Sequence, residues 1–344
     1  MNNKPITIAG ITIQPGEKKT VLLHAPEIYT QTKVDFPAHV FHGKKSGPKI
    51  FIIGTIHGDE LNSIEIIRRV HHQIILKNLH GTLITVPIAN VYGLILQSRY
   101  LPDRRDLNRS FPGSKRGSLA ARLARVIIDE VVSQCHYGID LHTGALGRIN
   151  MPQLRVNLDT PGAEELARVF DTPVILDAKL RDGSLREAAS ELGIPLLVYE
   201  GGEALRFNEL CIRAGARGIF NVLNHLKMLS TAKKHIKHHR SVITKTSRWV
   251  RSPASGLIQP RGDMITTLTK PVKKGEILAN IHDPFLINKS IPVVAPFDGI
   301  VIGQALKPLV NEGEGLFHIA SVKKIAGLAA YIEEYTGEII NLSD

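Results

Sequence analysis

The sequence predicts an α/β protein: a mixed, mostly parallel sheet flanked by helices, followed by a small all-β module toward the C-terminus. Three observations predict it. Apolar runs of strand length alternate with segments of helical period between Lys49 and Leu229. Past Arg251 the texture turns to short strands and glycine turns, and this part repeats itself. The composition is that of a globular chain, with 43% of 344 residues hydrophobic and 22% charged. That is enough apolar surface for a sizeable core and too little charge for disorder.

Ahead of Lys49 come short β-like runs at Ile6–Ile13 and Lys19–His24, then a polar loop at His42–Pro48. Lys49–Ile56 (KIFIIGTI) is a buried-strand run, and Asp59–Ile75 follows with Leu61, Ile64, Ile67, Val70 and Ile74 at helical spacing. Gly81–Ile88 reads as the next strand. Ser118–Ser133 is helical, with Leu119, Leu123, Val126 and Ile127 on one side and Ser118 as N-cap. Tyr137–Leu141, Pro173–Leu176 and Ile194–Tyr199 are short strands, and Gly183–Leu192 and Glu203–Leu229 carry helical patterns. In sheets of this kind the site lies at the carboxyl ends of the strands.

The repeat lies in the C-terminal part. Pro253-Ala254-Ser255-Gly256-Leu257-Ile258 recurs as Pro296-Phe297-Asp298-Gly299-Ile300-Val301. Lys270-Pro271-Val272, then Gly275-Glu276 and Leu278, recurs as Lys307-Pro308-Leu309, then Gly313-Glu314 and Leu316. Two matched blocks in one order read as two copies of a hairpin-like unit in a small pseudo-twofold sandwich, rather than as turns recurring by chance. The segment resembles the barrel-sandwich fold of biotinyl and lipoyl carrier domains, which present a lysine flanked by methionines. Here Asp283–Ile291 offers Lys289 with no methionine, so a carrier role is not supported.

The formal net charge of +11 suits an anionic small substrate, a nucleic acid or an acidic membrane surface. Part of the excess lies in Lys233–Arg251, among His235, His238 and His239; another part is Arg99, Arg104, Arg105 and Arg109. The basic segment holds one aromatic, Trp249, so it lacks base-stacking platforms, and no nucleic-acid partner is expected. Cys135 and Cys211 are too few for a disulfide framework. Met1–Gly10 has no signal-type apolar core, and no apolar run approaches about 18 residues. The expectation is a cytoplasmic protein with no membrane association; homo-oligomerisation stays open.

The chemistry-bearing residues begin at His57-Gly58-Asp59-Glu60, where a strand ends, Gly58 lets the chain turn and Glu60 opens the next helix. An imidazole and a carboxylate so placed aim at one point, as two ligands of a tetrahedral Zn2+ require. HxxE by itself reads more often as a solvated helix start whose acids meet the helix dipole. His142, at the carboxyl end of Tyr137–Leu141, is the candidate third ligand; on its own it reads as a hydrogen-bonded strand-end residue. Asp140, on the same strand face, suits the task of holding a ligand imidazole in its tautomer. Taken together, at the ends of two strands, the residues favour the metal. His71–His72 and His238–His239 read as surface residues.

A three-ligand zinc leaves one position for water and calls for a base. Glu200, between Ile194–Tyr199 and Gly201-Gly202, is the candidate; the alternative is an acid at a helix start. In Asp106–Gly113 (DLNRSFPG), Arg109 and Asn108 suit a substrate carboxylate. Arg99, upstream, suits the scissile carbonyl or a second acid group. The plain alternative is an Asp/Asn turn with solvated arginines.

Together these motifs resemble the succinylglutamate desuccinylase/aspartoacylase family, within the zinc carboxypeptidase-like fold. The likeness rests on HGDE at His57–Glu60, DLNRSFPG at Asp106–Gly113, DLHTG at Asp140–Gly144 and YEGG at Tyr199–Gly202, and covers most of Lys49–Leu229. It implies one zinc per chain on His57, Glu60 and His142, with Glu200 as general base and then acid. It implies a substrate carboxylate on Asn108 and Arg109, Arg99 near the scissile carbonyl, and Arg148 and Arg155 along the acyl pocket. The C-terminal β module sets the chain beside a broader deacylase branch, so neither N-acetylaspartate nor succinylglutamate follows as substrate.

The expected division is an N-terminal β segment over 1–48, a zinc-hydrolase domain over 49–245, the barrel-sandwich module over 246–325 and a tail over 326–344. The expected activity is hydrolysis of the amide bond in a small anionic N-acylated amino acid or amine. The rivals are a zinc carboxypeptidase on short peptides and a non-catalytic anion- or nucleic-acid-binding module.

Overall fold

The computed structural model describes residues 2–229, 241–261, 268–322 and 327–341. Part of the basic segment Lys233–Arg251, including His235, His238 and His239, therefore lies outside the described residues. In chain order the N-terminal half holds β1 (Ile6–Ile8), β2 (Ile11–Ile13), β3 (Lys18–His24), β4 (Asp35–His42), β5 (Lys45–Gly54), α1 (Asn62–Gln73), β6 (His80–Val86), α2 (Val91–Ile95) and α3 (Leu119–Glu130). Then come β7 (Tyr137–Gly144), β8 (Arg148–Val156), α4 (Ala163–Phe170), β9 (Val174–Asp177), α5 (Leu185–Glu191), β10 (Leu196–Glu203) and α6 (Glu209–His225). The C-terminal part comprises β11 (Val242–Thr244), β12 (Ser247–Arg251), β13 (Gly256–Pro260), β14 (Pro271–Val272), β15 (Ile277–His282), β16 (Ile291–Val294), β17 (Gly299–Ala305), β18 (Leu309–Val310), β19 (Gly315–Ser321) and α7 (Leu328–Ile340).

The central sheet is mixed. β6, β5, β7 and β10 run parallel in that order, β8 joins β10 antiparallel, and β9 continues parallel to β8. Side-chain alternation along β5 shows why helices cover both faces. Phe51 and Ile53 enter one core with α3 and α5, whereas Ile50 and Ile52 enter the other with α1, α4 and α6. Each fully buried apolar side chain of this kind contributes about 1.5–3 kcal/mol. α1 is amphipathic, burying Ile67 and Val70 as expected but Ile66 in place of the half-buried Leu61 and Ile64, and Ser118 caps α3 through its hydroxyl, which accepts from the Ala121 N–H at 3.2 Å.

The C-terminal strands bear the signature of the internal repeat. β14 of the first copy pairs with β17 of the second (Val272 opposite Gly299), and β18 of the second pairs with β13 of the first (Val310 opposite Gly256). This part is also stitched to the central sheet, because β17 pairs antiparallel with β8. Alternation along β17 sends Val301 and Ala305 into the C-terminal core, and Ile300 and Ile302 into a seam with Met151, Val174 and Leu176.

Some elements depart from the sequence reading. β4 fills what reads as featureless sequence, and β5 begins inside the expected loop His42–Pro48. β4 and β8 contain Pro37 and Pro152, which disguise a strand pattern. α7 packs Tyr335 and Ile339 into the core beside α6. His71 is not a surface residue: half-buried, it meets Thr85 Oγ1 at 2.7 Å and packs on Phe41, and burial drives its pKa down to about 4. Among the described residues no helix is long and apolar enough to cross a membrane.

Candidate metal centre and active-site cavity

β5, β7 and β10 end side by side, and the candidate ligands stand at that edge. Ile53 on β5 is opposite Asp140 on β7, and His142 on β7 is opposite Glu200 on β10. His142 and Glu200 lie inside their strands rather than just past them, because β7 continues to Gly144 and β10 to Glu203. Glu60 likewise precedes α1 instead of opening it. Residues 57–60 form a tight turn, with Glu60 N–H donating to the His57 carbonyl at 3.1 Å, and the helix starts at Asn62. Gly58 is obligatory there: a Cβ would lie 1.9 Å from the Gly93 carbonyl carbon and 2.2 Å from Leu94 N.

The turn brings His57, Glu60 and His142 together, fully enclosed, with one donor atom of each within 4.8 Å of the others. Glu60 spans the two imidazoles: His57 Nδ1 is 2.7 Å from Oε1 and His142 Nδ1 is 2.7 Å from Oε2. The far nitrogens are fixed by other acids, His142 Nε2 by Asp140 at 2.8 Å and His57 Nε2 by Asp106 at 3.2 Å. Burial opposes charging of either ring, yet the carboxylates outweigh it. His57 is raised by Glu60 and Asp106, and His142 is raised well above the imidazole range by Asp140 and Glu60. Burial also opposes ionisation of Glu60, but the two imidazoles hold it far below the usual carboxylate range. A buried carboxylate between two Nδ1 atoms, each ring anchored by a further acid, demands positive charge at its centre. Two nitrogens and an oxygen suit a borderline divalent cation such as zinc.

Asp106 does more than hold His57. Its Oδ2 accepts from Arg99 Nε at 3.0 Å and Nη2 at 2.8 Å, and its Oδ1 accepts from Asn108 N–H at 2.8 Å. Arg99 is thereby leaned toward the ligands, with Nη1 3.6 Å from Glu60 Oε1. The Asn108 side-chain oxygen accepts from Leu185 N–H at 2.9 Å, which fixes the amide with its NH2 at the opposite end. Arg109 donates to the Asn108 carbonyl oxygen and is exposed to the cavity.

A cavity of about 560 Å³ opens over the three ligands. Every site residue expected from the sequence lines it: His57, Glu60 and His142, Asp140, Arg99, Asn108, Arg109, Arg148, Arg155 and Glu200. Glu200 is held on both oxygens, Oε2 accepting from Asn150 Nδ2 at 2.9 Å and Oε1 lying 3.2 Å from Arg155 Nε. Gly202 follows at φ +85°, where a Cβ would strike Asn62 Nδ2 at 2.4 Å, and the register of β10 shifts directly beyond the carboxylate.

Several residues of the site escaped the sequence reading. Asp106 lies inside DLNRSFPG, but the motif drew attention only to Asn108 and Arg109. Asn150 belongs to β8, a strand that was not recognised. Arg181 and Arg186 also line the cavity. Burial first, then Arg155 and Arg181, push Arg186 down to about 10, and burial with Arg109 and Arg155 lowers Arg181. Trp249 reaches the cavity from β12, with Ser247 beside it.

The family model for the succinylglutamate desuccinylase/aspartoacylase catalytic domain matches residues 46–226. The N-alpha-acetyl-L-2,4-diaminobutyric acid deacetylase of Halomonas elongata is 26% identical over 302 residues, covering 82% of this chain and 84% of that protein. Among solved structures, a succinylglutamate desuccinylase/aspartoacylase from Rhodobacter sphaeroides superposes with a TM-score of 0.77 at 24% identity, over 88% of this chain and 95% of that one. The product-bound ectoine utilization protein EutE (DoeB) of Ruegeria pomeroyi gives 0.79 at 23% identity, over 93% and 100%.

Proposed function

Because the chain belongs to the succinylglutamate desuccinylase/aspartoacylase family, we propose that it is a zinc-dependent deacylase that hydrolyses the amide bond of a small, anionic N-acylated amino acid or amine. The observation that carries this reading is the convergence of His57, Glu60 and His142, distant in sequence, on one point at the floor of an arginine-lined cavity. The deacetylase name of the Halomonas relative supports the reaction class. A zinc carboxypeptidase-like fold belongs to the same reading, as does the division into residues 1–48, 49–245, 246–325 and 326–344.

His57, Glu60 and His142 would hold the zinc, which when bound supplies Lewis acidity that acidifies water and polarises a carbonyl. Asp140 and Asp106 fix the ligand imidazoles in the tautomer that leaves Nδ1 for the metal. Asn108 NH2 and the Arg109 guanidinium bind the substrate carboxylate and orient the amide. Glu200 takes the proton of the attacking water as the C–O bond forms. As the C–N bond breaks, the same carboxyl gives that proton to the departing nitrogen, leaving a carboxylate and an amine. Asn150 and Arg155 keep Glu200 aimed. Arg99, 3.6 Å from Glu60 Oε1, stands where a polarised acyl oxygen gains from a positive neighbour.

The test joins metal analysis of the purified protein to a hydrolysis panel of N-acetyl amino acids, N-succinyl amino acids, N-acetyl diamines and short peptides. One zinc per chain with turnover of an N-acyl substrate is the expected result. Turnover confined to peptides overturns the deacylase assignment, and a metal-free protein inert to the whole panel overturns the enzyme.

A further inference from the structure

Arg148 opens β8 at the seam between the central sheet and the C-terminal strands. Its backbone is fixed there: its N–H donates to the Ala145 carbonyl at 2.8 Å, and the residue lies opposite Ala305 on β17. Its guanidinium sits 4.9 Å from the centre of the Trp249 ring. Trp249 comes from β12, and its indole stacks on His318 of β19, with ring centres 5.0 Å apart and planes 9° from parallel. His318 Nε2 meets Ser247 Oγ at 3.0 Å, and Gly315 lets the indole lie flat, since a Cβ there would be 3.1 Å from the ring. Burial, with Arg155 and Arg181 nearby, keeps His318 uncharged, driving its pKa down to about 3. The stack therefore carries one positive charge, that of Arg148.

Two other cavity arginines are paired, Arg99 with Asp106 and Arg155 with Glu200, whereas no described carboxylate lies within ion-pair distance of Arg148, Arg109, Arg181 or Arg186. Of these four, Arg148 alone among the described residues lies over an aromatic ring. A guanidinium held through its face by an aromatic ring keeps its edge N–H donors free, and two of those match a carboxylate. Both Arg148 and Trp249 line the cavity that contains His57, Glu60 and His142.

We propose that Arg148 and Trp249 form a specificity-determining pair, in which the C-terminal β segment, through Trp249, holds Arg148 as the receptor for a second carboxylate of the bound molecule, beyond the one taken by Asn108 and Arg109. That the bound molecule is an N-acylated substrate rests on the deacylase reading; the receptor itself does not. The specificity of the site is then written in two stretches of chain that meet only when β17 pairs with β8.

Trp249 is the sole tryptophan of the chain, so its fluorescence reports the site directly. The zinc-loaded full chain is titrated with succinate and with butyrate, a monocarboxylate of the same length, following fluorescence and, in parallel, calorimetric heat. Succinate is expected to change the emission and to bind about tenfold or more tightly than butyrate, the span of a charge-assisted arginine–carboxylate contact. R148Q removes that preference. W249A weakens it and W249F restores most of it, both read by calorimetry because neither carries the reporter; thermal melts verify that all three fold. In turnover, R148Q raises KM for substrates with a second carboxylate by about tenfold and leaves kcat within about twofold.

Equal affinity of wild type for succinate and butyrate overturns the proposal, as does an R148Q protein that keeps the preference. The two readings fail separately. Arg148-dependent succinate binding without hydrolysis of any N-acyl substrate removes the deacylase and keeps the receptor. Hydrolysis with R148Q kinetics equal to wild type removes the receptor and keeps the deacylase.

Discussion

His318 joins the C-terminal strands to the cavity wall, and its titration makes the seam measurable. The perturbation is His318→Gln. In the folded protein burial, reinforced by Arg155 and Arg181, lowers the imidazole pKa to about 3, whereas in the unfolded chain it returns to the ordinary imidazole value of 6.5. Above pH 6.5 the ring is neutral in both states and pH has no leverage. Below it the unfolded chain binds a proton that the folded protein refuses, so stability falls as pH falls through the window from 6.5 to 3. At about 1.4 kcal/mol per pH unit, this one residue withdraws about 2 kcal/mol by pH 5. The assay is urea denaturation of both proteins at intervals from pH 7.5 to 4.5, plotted as the difference in unfolding free energy. The variant begins less stable because it loses the ring stacked on Trp249, then closes on wild type as the solution is acidified. Only the slope of the difference carries the inference; the starting offset does not. A difference that stays flat from pH 7 to 4.5 means that His318 titrates normally, and the neutral stack on Trp249 is then wrong.

Three further outcomes follow from the metal centre. Glu200→Gln keeps the shape of the side chain and its distance from the ligands, so zinc content is expected to stay at one per chain while kcat falls by about 10²–10⁴; near-normal turnover removes Glu200 from the proton transfers. Chelation is expected to abolish activity and lower the melting temperature, both recovered on adding zinc, because a cation bound only by the folded state stabilises it; His142→Ala is expected to leave the purified protein without zinc and without a chelator response. Gly58→Ala drives a methyl group into the Gly93–Leu94 backbone, which cannot yield as a side chain can. The expected result is a loss of about 1–3 kcal/mol in stability together with weakened zinc retention, and a variant with wild-type zinc affinity refutes the close approach.

The sequence revealed what is local and strongly periodic. β5 is legible as a continuous apolar run, and α1 and α3 by an apolar period of 3.6; the repeat indicates a two-copy β module, whereas the crossed pairing of β14 with β17 and β18 with β13 is visible only in the structure. β8 was not legible, since Pro152 breaks the pattern and the strand is stabilised by neighbours on both sides that no local window contains. The same divide runs through the site. His57 and Glu60 are one turn apart, and His142 and Asp140 are two residues apart on one strand face, so spacing alone suggested each pair. That Asp106 holds His57, that Asn150 holds Glu200, and that Trp249 lies under Arg148 are contacts between elements 49, 50 and 101 residues apart. They exist only because β5, β7 and β10 end at one edge and β17 locks the C-terminal strands onto β8.

This division has a chemical consequence. The groups legible locally are those the proposed hydrolysis needs: candidate ligands, a base and a carboxylate grip. Of the contacts that required the fold, Asp106–His57 and Asn150–Glu200 position those groups, and Arg148–Trp249 is the one proposed to select the bound molecule. The Arg148–Trp249 wall depends on a pairing, β8 with β17, that no motif encodes. A change in that pairing that displaces Trp249 is expected to alter selectivity while leaving His57, Glu60 and His142 together, because they stand on β7 and on the turn after β5, and neither β5 nor β7 pairs with the C-terminal strands.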